Sequence, residues 1–462
     1  MLINQYNPQL RSELEAIQGN ILKGHGRKYT AHVFLKGKKG QRNSTAFWIS
    51  ELVNKEESVV KSGYQQLKAN HLFKTQKIDG GLFGGFYISF EGYIFLEGKD
   101  KAQRLFSGNT SFINGMKRAA LNDPEPSKWD EVYQENCHFM LLLADDSKST
   151  LVNQVEKIKR ETSSFLQTLH IEYGNAIFNK NKAAIEHFGY ADGISQPLFF
   201  EDEFEKYLND HRIRNLKDLK FDPRAEGKLV LVKDKFVDEP HSKGSFFVYR
   251  KLEQNVKGFK KAEAELAEKL HLIGVDEERV GAMIVGRFED GTPVEVSGHE
   301  GMMGAERFND FDYTFNGESK CPFHAHIRKT NPRNTEKEAA DRRMARRGIP
   351  FGEYKPDIPI DEMPIGGVGL LFMSFQASLE DQFEHIQKNW ANNSDFPQGK
   401  AYDKPGLDLI IGQGKSLAKG AYATEWGNPT SMKSADFNHF VSMRGGEYFF
   451  APSMMYLKTI NI

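Results

Sequence analysis

The sequence predicts an α+β fold made of two similar halves, because strand-like and helix-like patterns alternate in both. In the first half, His138–Ala144 is an apolar run short enough to be a buried strand. In the second half, Gly369–Phe375 has the same character. A segment with apolar residues at helical spacing follows each run, and each half begins with another strand-then-helix pair. Repeated units of this kind favour helices that cover an antiparallel sheet.

In the first half, His32–Leu35 is predicted to be a strand and Ser44–Val53 the helix that follows it. After the strand over His138–Ala144, a second helix is predicted to begin near Ser149. Its apolar residues recur at intervals of three, four or seven, which places them on one side of a helix. The predicted buried face consists of Leu151, Val155, Ile158, Phe165 and Leu169.

In the second half, Gly244–Leu252 is predicted to be a strand and Gly258–Leu270 a helix. After the strand over Gly369–Phe375, Ser378 and Asp381 have the spacing of a capping box, in which the serine side chain satisfies a free backbone N–H of the first helical turn. The helix that follows is predicted to bury Phe383, Ile386 and Trp390.

We place the boundary between the halves near residue 185, because 179–182 and 201–235 lack a clear core pattern. The predicted domains are therefore residues 1–185 and 186–462. The stretch 392–414 is long and mostly polar, and loops of that length inside a domain are usually functional or disordered. We expect a functional loop, because the stretch contains Asp408, an acid that enters the predicted site below.

Composition excludes several classes of function. Among 462 residues, 62 lysines and arginines almost balance 63 aspartates and glutamates, so no net field favours nucleic acid or an anionic membrane. The start of the chain lacks the layout of a secretory signal, and the longest apolar runs are too short to span a bilayer. Cys137 and Cys321 are far apart and are expected to be buried thiols in a reducing compartment. We therefore expect a soluble cytoplasmic protein, with a homo-oligomer left open.

The segment Cys321–Arg333 concentrates side chains that suit a metal cofactor. It contains His324, His326, Arg328 and Arg333 within a short stretch that begins with strand-like alternation. An imidazole can bind a transition metal through one ring nitrogen while the other is held by a carboxylate or carbonyl. Guanidinium groups bind carboxylates, so the combination suits a haem with iron on its face and propionates on its edge. Taken alone, a strand end followed by a solvated basic turn explains the segment equally well.

Four further motifs along the chain accompany this segment. Glycines and an acid stand at Gly189-x-x-Asp192-Gly193, within 187–197, and arginines lead the stretch Arg346–Gly352. Along the chain, the order is Ile17–Arg27, the Asp192 motif, 321–333, the Arg346 stretch and Gly446–Ser453. In this combination and order the motifs resemble the dye-decolourising peroxidases. The resemblance implies two ferredoxin-like domains that bind haem b. It also implies reduction of hydrogen peroxide and oxidation of organic donors such as phenols and dyes.

The resemblance assigns residues to one face of the haem. The family's axial histidine stands two residues before an arginine, here Arg328, which selects His326 over His324. Arg333 falls where the family binds a propionate. A carboxylate that accepts a hydrogen bond from the axial histidine raises the electron density on iron. Asp408 stands where related peroxidases carry such an acid, and Glu384 and Asp436 are the alternatives.

On the opposite face, peroxide must lose one proton and a proton must reach the leaving oxygen. By resemblance, Asp192 is the acid–base group and Arg346 stabilises the charge that develops as the O–O bond breaks. Spacing alone does not exclude Arg347. By the same resemblance, Leu370 and Phe372 form an apolar wall over the peroxide site.

Two further hypotheses stay open from the sequence. Tyr354, or Trp390, is a candidate electron relay for donors too bulky for the haem pocket. The chain is alternatively a haem-handling protein with little peroxidase turnover, although such a protein does not need both Asp192 and Arg346. A mononuclear metal hydrolase that uses both histidines and a carboxylate is a third alternative, and it lacks an HExxH ligand set.

Overall fold

A computed structural model describes residues 2–5, 7–54, 58–272, 277–301, 309–313, 317–336, 338–397, 405–413 and 418–461. The strands are β1 Tyr29–Gly37, β2 Phe83–Ser89, β3 Phe139–Asp145, β4 Leu166–Asn175, β5 Ile177–Phe178, β6 Ala184–Ile185, β7 Val232–Lys233, β8 Lys243–Gln254, β9 Ala345–Arg346, β10 Ile349–Phe351, β11 Gly369–Gln376, β12 Ala418–Ala423, β13 Met432–Phe437 and β14 Val441–Ala451.

The α-helices are α1 Arg11–Ala16, α2 Arg42–Asn54, α3 Gly63–Gln76, α4 Phe90–Glu97, α5 Lys99–Leu105, α6 Thr110–Asn114, α7 Glu131–Gln134, α8 Lys148–Thr162, α9 Glu201–Asp210, α10 Val256–Leu270, α11 Glu278–Val285, α12 His326–Thr330, α13 Ala339–Arg342 and α14 Met454–Thr459. Two π-helical segments follow β11, at Leu379–Glu384 and Ile386–Ala391. Short 3₁₀ turns lie at Pro8–Leu10, Met116–Arg118, Pro126–Lys128, Leu216–Asp218, Gly227–Leu229, Arg333–Thr335, Ile360–Glu362 and Pro429–Ser431. None of the described helices is both long enough and apolar enough to cross a membrane.

The main sheet is antiparallel and repeats one topology. Its strand order is β10-β11-β8-β14-β2-β3-β1-β4. In each half, the third strand of the chain lies between the second and the first, and the fourth flanks the first, which is the ferredoxin-like order. The halves join where Phe449 and Phe450 of β14 pair with Ser89 and Ile88 of β2. The predicted α+β class with two ferredoxin-like sheets is confirmed, while the boundary near residue 185 stays a prediction.

The two halves pack face to face through aromatic side chains. Tyr87 of β2 stacks on Phe247 of β8 with ring centroids 4.4 Å apart, and Phe34 of β1 meets Tyr249 of β8 edge-on at 5.0 Å. Because side chains alternate along a strand, the even-numbered residues of β8 face the opposite way. That opposite face carries the cavity described below.

The helix predicted near Ser149 begins at Lys148, with Ser147 as its cap, and ends at Thr162. Phe165 and Leu169 were therefore wrongly assigned to its buried face. Phe165 lies in the turn after the helix, and Leu169 belongs to β4, which pairs with β1. Their spacing of four fits a helix, but pairing with a neighbouring strand overrides local spacing.

The helix after Ser378 begins as predicted. The Ser378 side chain accepts a hydrogen bond from the backbone N–H of Asp381 at 3.0 Å, as an N-cap does. Phe383, Ile386 and Trp390 are buried, which confirms the predicted face. The turns that follow are π-helical, a form often found at functional sites.

A buried ion pair joins the two halves. Glu172 of β4 accepts hydrogen bonds from Lys251 of β8 at 2.6 Å and from Tyr133 at 3.1 Å, and lies 2.7 Å from His170 Nε2. Burial raises the pKa of Glu172, but hydrogen bonds from His170 and Lys251 and the lysine charge lower it to about 2. The carboxylate is therefore charged throughout the neutral range.

We expect Lys251→Met to destabilise the protein at neutral pH by roughly 3 kcal/mol, because it leaves a buried charge without its partner. The folded-state pKa of Glu172 is depressed, so its stabilising effect is complete above the ordinary value of 4.5 and disappears as the pH falls towards about 2. Urea unfolding at pH 7 and pH 3 should therefore show a smaller difference from the parent protein at pH 3. An equal difference at both values would show that Glu172 does not carry the effect.

Candidate active site

His326 is the first residue of the short helix α12. The strand-like alternation before it does not form a strand, because the chain turns at Pro322, whose carbonyl accepts from the N–H of Ala325 at 3.2 Å. Consequently His324 and His326 do not share a face. The side chain of His326 opens onto a cavity and is 28% exposed, whereas His324 is 1% exposed and packs edge-on against the Tyr422 ring at 4.9 Å.

Asp408 holds the imidazole of His326. Its Oδ2 lies 2.8 Å from His326 Nδ1, and its Oδ1 accepts from the backbone N–H groups of Ile410 at 2.8 Å and Ile411 at 3.0 Å. Burial favours the neutral form of both side chains, but their attraction dominates: the pKa of Asp408 is lowered and that of His326 is raised. Asp408 is therefore a carboxylate that accepts from Nδ1–H, which leaves Nε2 available on the cavity side.

The two alternative acids lie elsewhere. Glu384 accepts hydrogen bonds from the Tyr448 hydroxyl at 2.9 Å and from Lys388 at 2.8 Å. Asp436 belongs to β13, in a hairpin with β12. The contact with His326 is thus made by Asp408, as the family pattern suggested.

Lys329 holds α12 in place, a role that no pattern in the sequence indicated. Its buried ammonium donates to the carbonyl oxygens of Trp390 at 3.1 Å, Asn393 at 2.6 Å and Phe396. Burial lowers the pKa of Lys329 to about 7, with Asp408 acting in the opposite direction. The basic stretch after His326 is therefore not a solvated turn. Lys329 instead connects α12 to the end of the second π-helical segment through the carbonyl of Trp390.

The cavity above His326 has a volume of about 550 Å³. Leu370 and Phe372 of β11 line it, where the sequence placed an apolar wall, and Leu252 of β8 continues that surface. Most residues of the stretch 184–196, and Arg346, also line it. A cavity of this size, mainly apolar with a few polar groups, suits a large planar cofactor.

Asp192 and Arg346 both line this cavity, and burial lowers the pKa of Arg346 while the nearby charge of Asp192 raises it. Asp192 is exposed to the cavity, and its Oδ1 accepts from the N–H of Gly193 at 2.6 Å in a turn where Gly193 has φ +78°. Arg346 ends the short strand β9, and its guanidinium donates to the Ile194 carbonyl at 2.7 Å. Arg346 lowers the pKa of His326 and Asp192 raises it. The side chains of Asp192 and Arg346 are therefore close enough to His326 for their charges to affect it.

Arg347 also lines the cavity, but backbone carbonyls occupy its guanidinium. Its guanidinium donates to the carbonyls of Asn20 at 2.7 Å, Ile21 at 2.9 Å and Arg346 at 2.7 Å. These bonds anchor the motif Ile17–Arg27 against the site. The guanidinium of Arg347 thus holds the N-terminal segment, and the assignment of charge stabilisation to Arg346 stays a prediction.

Arg333 lies in the cavity wall, but most of its donors are already used. The guanidinium donates to Asn309 O and Asn309 Oδ1, each at 2.8 Å, and to Phe311 O. It is sandwiched between the rings of Phe221 and Phe311, with centroids 4.0 and 3.7 Å away. Its Nε has no acceptor among the described residues. The propionate role assigned to Arg333 stays a prediction, and Nε is a donor available for it.

Sequence reasoning missed a second buried arginine in the same wall. Arg287 follows α11 and the left-handed Gly286, and it lines the cavity beside Arg333. A glycine at a helix end is a common signal and says nothing about the arginine after it. Arg287 becomes visible only when the fold brings it next to Arg333.

These residues fit a haem. The cavity has an imidazole, held in one tautomer, that suits the iron, and an apolar wall that suits the porphyrin face. Its two buried arginines suit the carboxylate edge. The described part of the chain contains no cluster of three or more histidines, cysteines or acids that would hold a bare metal ion. The arrangement thus gives no support to the metal hydrolase hypothesis.

Comparison with known proteins confirms the resemblance. Residues 220–400 match the family described as Dyp-type peroxidase, C-terminal. The multifunctional dye peroxidase DyP2 of Amycolatopsis sp. is 38% identical over 464 residues, which cover 97% of this chain and 96% of that protein. The crystal structure of a DyP-type peroxidase from Anabaena sp. superposes with a TM-score of 0.89 at 36% identity, covering 99% of this chain and 97% of the other. The chain therefore belongs to the DyP-type peroxidases, a family of haem-dependent enzymes.

Proposed function

We propose that this peroxidase binds haem b, reduces hydrogen peroxide at the Asp192–Arg346 side of the cavity, and oxidises small aromatic donors and dyes. One observation carries the proposal: a single cavity is lined by His326, whose ring is held by Asp408, and also by Asp192 and Arg346. A haem-handling protein needs only the first pair. The related DyP2 and AauDyP1 are named as dye peroxidases, which agrees with such donors.

The chain's own groups divide the work. His326 would bind the iron through Nε2, while Asp408 keeps the proton on Nδ1 and increases the donor strength of the ring. Bound haem supplies an iron centre that takes two oxidising equivalents from peroxide and uses them, one at a time, to oxidise two donor molecules. Asp192 would take the proton from the near oxygen of peroxide and return it to the far oxygen. The guanidinium of Arg346 stabilises the negative charge on that leaving oxygen.

Haem b, which is held without covalent bonds, agrees with the cysteine content. Covalent attachment of a c-type haem requires a CxxCH motif, and the chain has only Cys137 and Cys321. Both are buried and unpaired. Free thiols of this kind also support the proposed cytoplasmic location, because they persist in reducing compartments.

Absorption spectroscopy tests the proposal directly. Protein produced with added haem should show an intense Soret band, and the pyridine haemochrome assay should identify the extracted cofactor as haem b. Addition of hydrogen peroxide should then start the oxidation of a phenol and of an anthraquinone dye. Absence of the Soret band after haem supplementation would refute haem binding, and a Soret band without turnover would leave a haem-handling protein.

Bulky dyes need a route that avoids the buried cofactor. Tyr354 is partly exposed, and its ring lies 6.0 Å from that of His187, whose Nε2 is 2.7 Å from the Phe351 carbonyl. Trp390 is only 4% exposed and stacks on Phe396, which leaves Tyr354 as the better candidate.

We expect Tyr354→Phe to slow oxidation of a large dye by several-fold and to spare a small phenol, because the ring remains while the phenolic proton needed for an easily formed radical is lost. Steady-state rates for one donor of each size, measured at equal haem content, give the answer. Trp390→Phe serves as the comparison at a buried position. Unchanged rates for both donors in Tyr354→Phe would make Tyr354 a structural residue only.

A further inference from the structure

Arg287 and Arg333 form a pair of buried cations in the cavity wall. Each residue is 4% exposed. Their guanidinium groups converge on one atom, because Asn309 Oδ1 accepts from Arg287 Nη2 at 3.1 Å and from Arg333 Nη2 at 2.8 Å. Both also lie over the ring of Phe311, at 5.6 and 3.7 Å from its centroid. Two like charges are thus held side by side away from water.

The acceptors around the pair are neutral. Arg287 Nη1 donates to the Gly291 carbonyl at 2.9 Å, and Arg333 Nη1 donates to the carbonyls of Asn309 and Phe311. Within the described ranges, neither arginine forms an ion pair with a carboxylate. Burial and the charge of Arg333 lower the pKa of Arg287 to about 9. A buried charge without an opposite charge is strongly unfavourable, so the pair requires an anion to balance it.

The two acids that follow Asn309 in the chain are engaged elsewhere. Asp310 Oδ1 accepts from the backbone N–H groups of Lys220 and Phe221 at 2.8 and 2.9 Å. Asp312 accepts from the side chain of Asn334 at 2.9 Å. Both raise the pKa of Arg333 only as neighbouring charges. A bound anion would balance the charge of the two arginines.

Both arginines line the cavity, and Arg333 Nε is a buried donor with no acceptor among the described residues. We propose that Arg287 and Arg333 together bind the carboxylate edge of the haem, with Arg287 as a second anchor and Asn309 holding the two guanidinium groups in register. The inference rests on the proposed haem function. Hydrogen peroxide does not suit the two arginines as a ligand, because it carries no charge at neutral pH.

The test compares haem with its dimethyl ester, which has the same ring and iron but no carboxylate charge. Apoprotein is titrated with each, and binding is followed by quenching of tryptophan fluorescence. The parent protein should bind haem at least about tenfold more tightly than the ester, as expected for charge-assisted hydrogen bonds. Arg287→Gln should lose most of that preference, while Arg287→Lys, which keeps the charge, should retain part of it.

Arg343→Gln is the matched control. Arg343 lines the same cavity and also donates to carbonyl oxygens, those of Ala340 at 3.0 Å, Asp222 at 3.1 Å and Arg224 at 2.8 Å. We expect it to keep the parent's preference for haem over the ester.

A melting curve of each apoprotein separates ligand binding from structural support. Arg287→Gln apoprotein should melt no lower than the parent, because the substitution removes repulsion between two buried cations. The proposal is overturned if the parent binds haem and ester equally, or if Arg287→Gln keeps the full preference for haem. A lower melting temperature with an unchanged preference would make Arg287 a structural residue. If the parent binds neither compound, the haem function itself fails.

Discussion

Replacing His326 by alanine will remove the Soret band from protein reconstituted with haem, whereas replacing His324 by alanine will keep it. The two residues are chemically identical and two positions apart, so each variant controls for the other. Only His326 opens onto the cavity with its ring held by Asp408. Loss of the iron-binding nitrogen should weaken haem binding by more than about 100-fold, since loss of an outer-shell partner alone commonly weakens a metal site by 10- to 100-fold.

The two variants should also differ in stability. His324 packs on Tyr422 and is almost fully buried, so His324→Ala leaves a void and should lower the melting temperature of the apoprotein. His326→Ala removes a ring that faces the cavity and should disturb the apoprotein less. Titration of both apoproteins with haem, followed at the Soret maximum, makes the comparison. Equal loss of haem in the two variants, or loss only in His324→Ala, would contradict the assignment of His326.

The spacing of apolar residues predicted most strands and helices, because this spacing can be recognised within a short segment of the chain. The strand at Gly369–Phe375 and the cap at Ser378 lie where the sequence places them. The errors occur where one spacing fits two structures. Phe165 and Leu169 continue a helical interval, yet β4 begins at Leu166 because it can pair with β1.

Sequence alone predicted those site residues that belong to recognisable motifs, but not the contacts between them. His326 and Asp408 are 82 positions apart, and three acids were equally plausible partners by spacing. The choice is made by the turn at 408–411, whose N–H groups hold one carboxylate oxygen and aim the other at the imidazole. No local pattern encodes that arrangement. Arg287 was missed for the same reason, since its significance lies in its contact with Arg333 through Asn309.

The choice between Arg346 and Arg347 has a local physical basis that spacing alone did not reveal. Arg346 is the last residue of β9, and successive side chains of an extended chain point in opposite directions. One guanidinium therefore faces the cavity while the next reaches the carbonyls of Asn20 and Ile21. The same alternation makes the neighbours a matched pair for experiment.

Arg346→Leu is expected to slow the reaction with hydrogen peroxide by about 100- to 1,000-fold, the usual effect of removing a group that stabilises transition-state charge. Asp192→Asn should slow it by about 100-fold or more, because an amide cannot take the proton from peroxide. Both variants should still bind haem, since neither side chain holds the iron or carries the His326–Asp408 contact. The measurement is the rate of the first change in the Soret region after rapid mixing with peroxide, at equal haem concentration.

Arg347→Leu separates charge stabilisation from support of the fold. It removes the same charge one residue away, but its hydrogen bonds go to backbone carbonyls of the N-terminal segment. The variant should therefore melt at a lower temperature and yet react with peroxide at nearly the parent rate per bound haem. Arg346→Leu should show the opposite: a slow peroxide reaction with a melting temperature close to that of the parent. If Arg347→Leu slowed the peroxide reaction as much as Arg346→Leu, the assignment of charge stabilisation to Arg346 would fail, because both arginines would then act through the general field of the cavity.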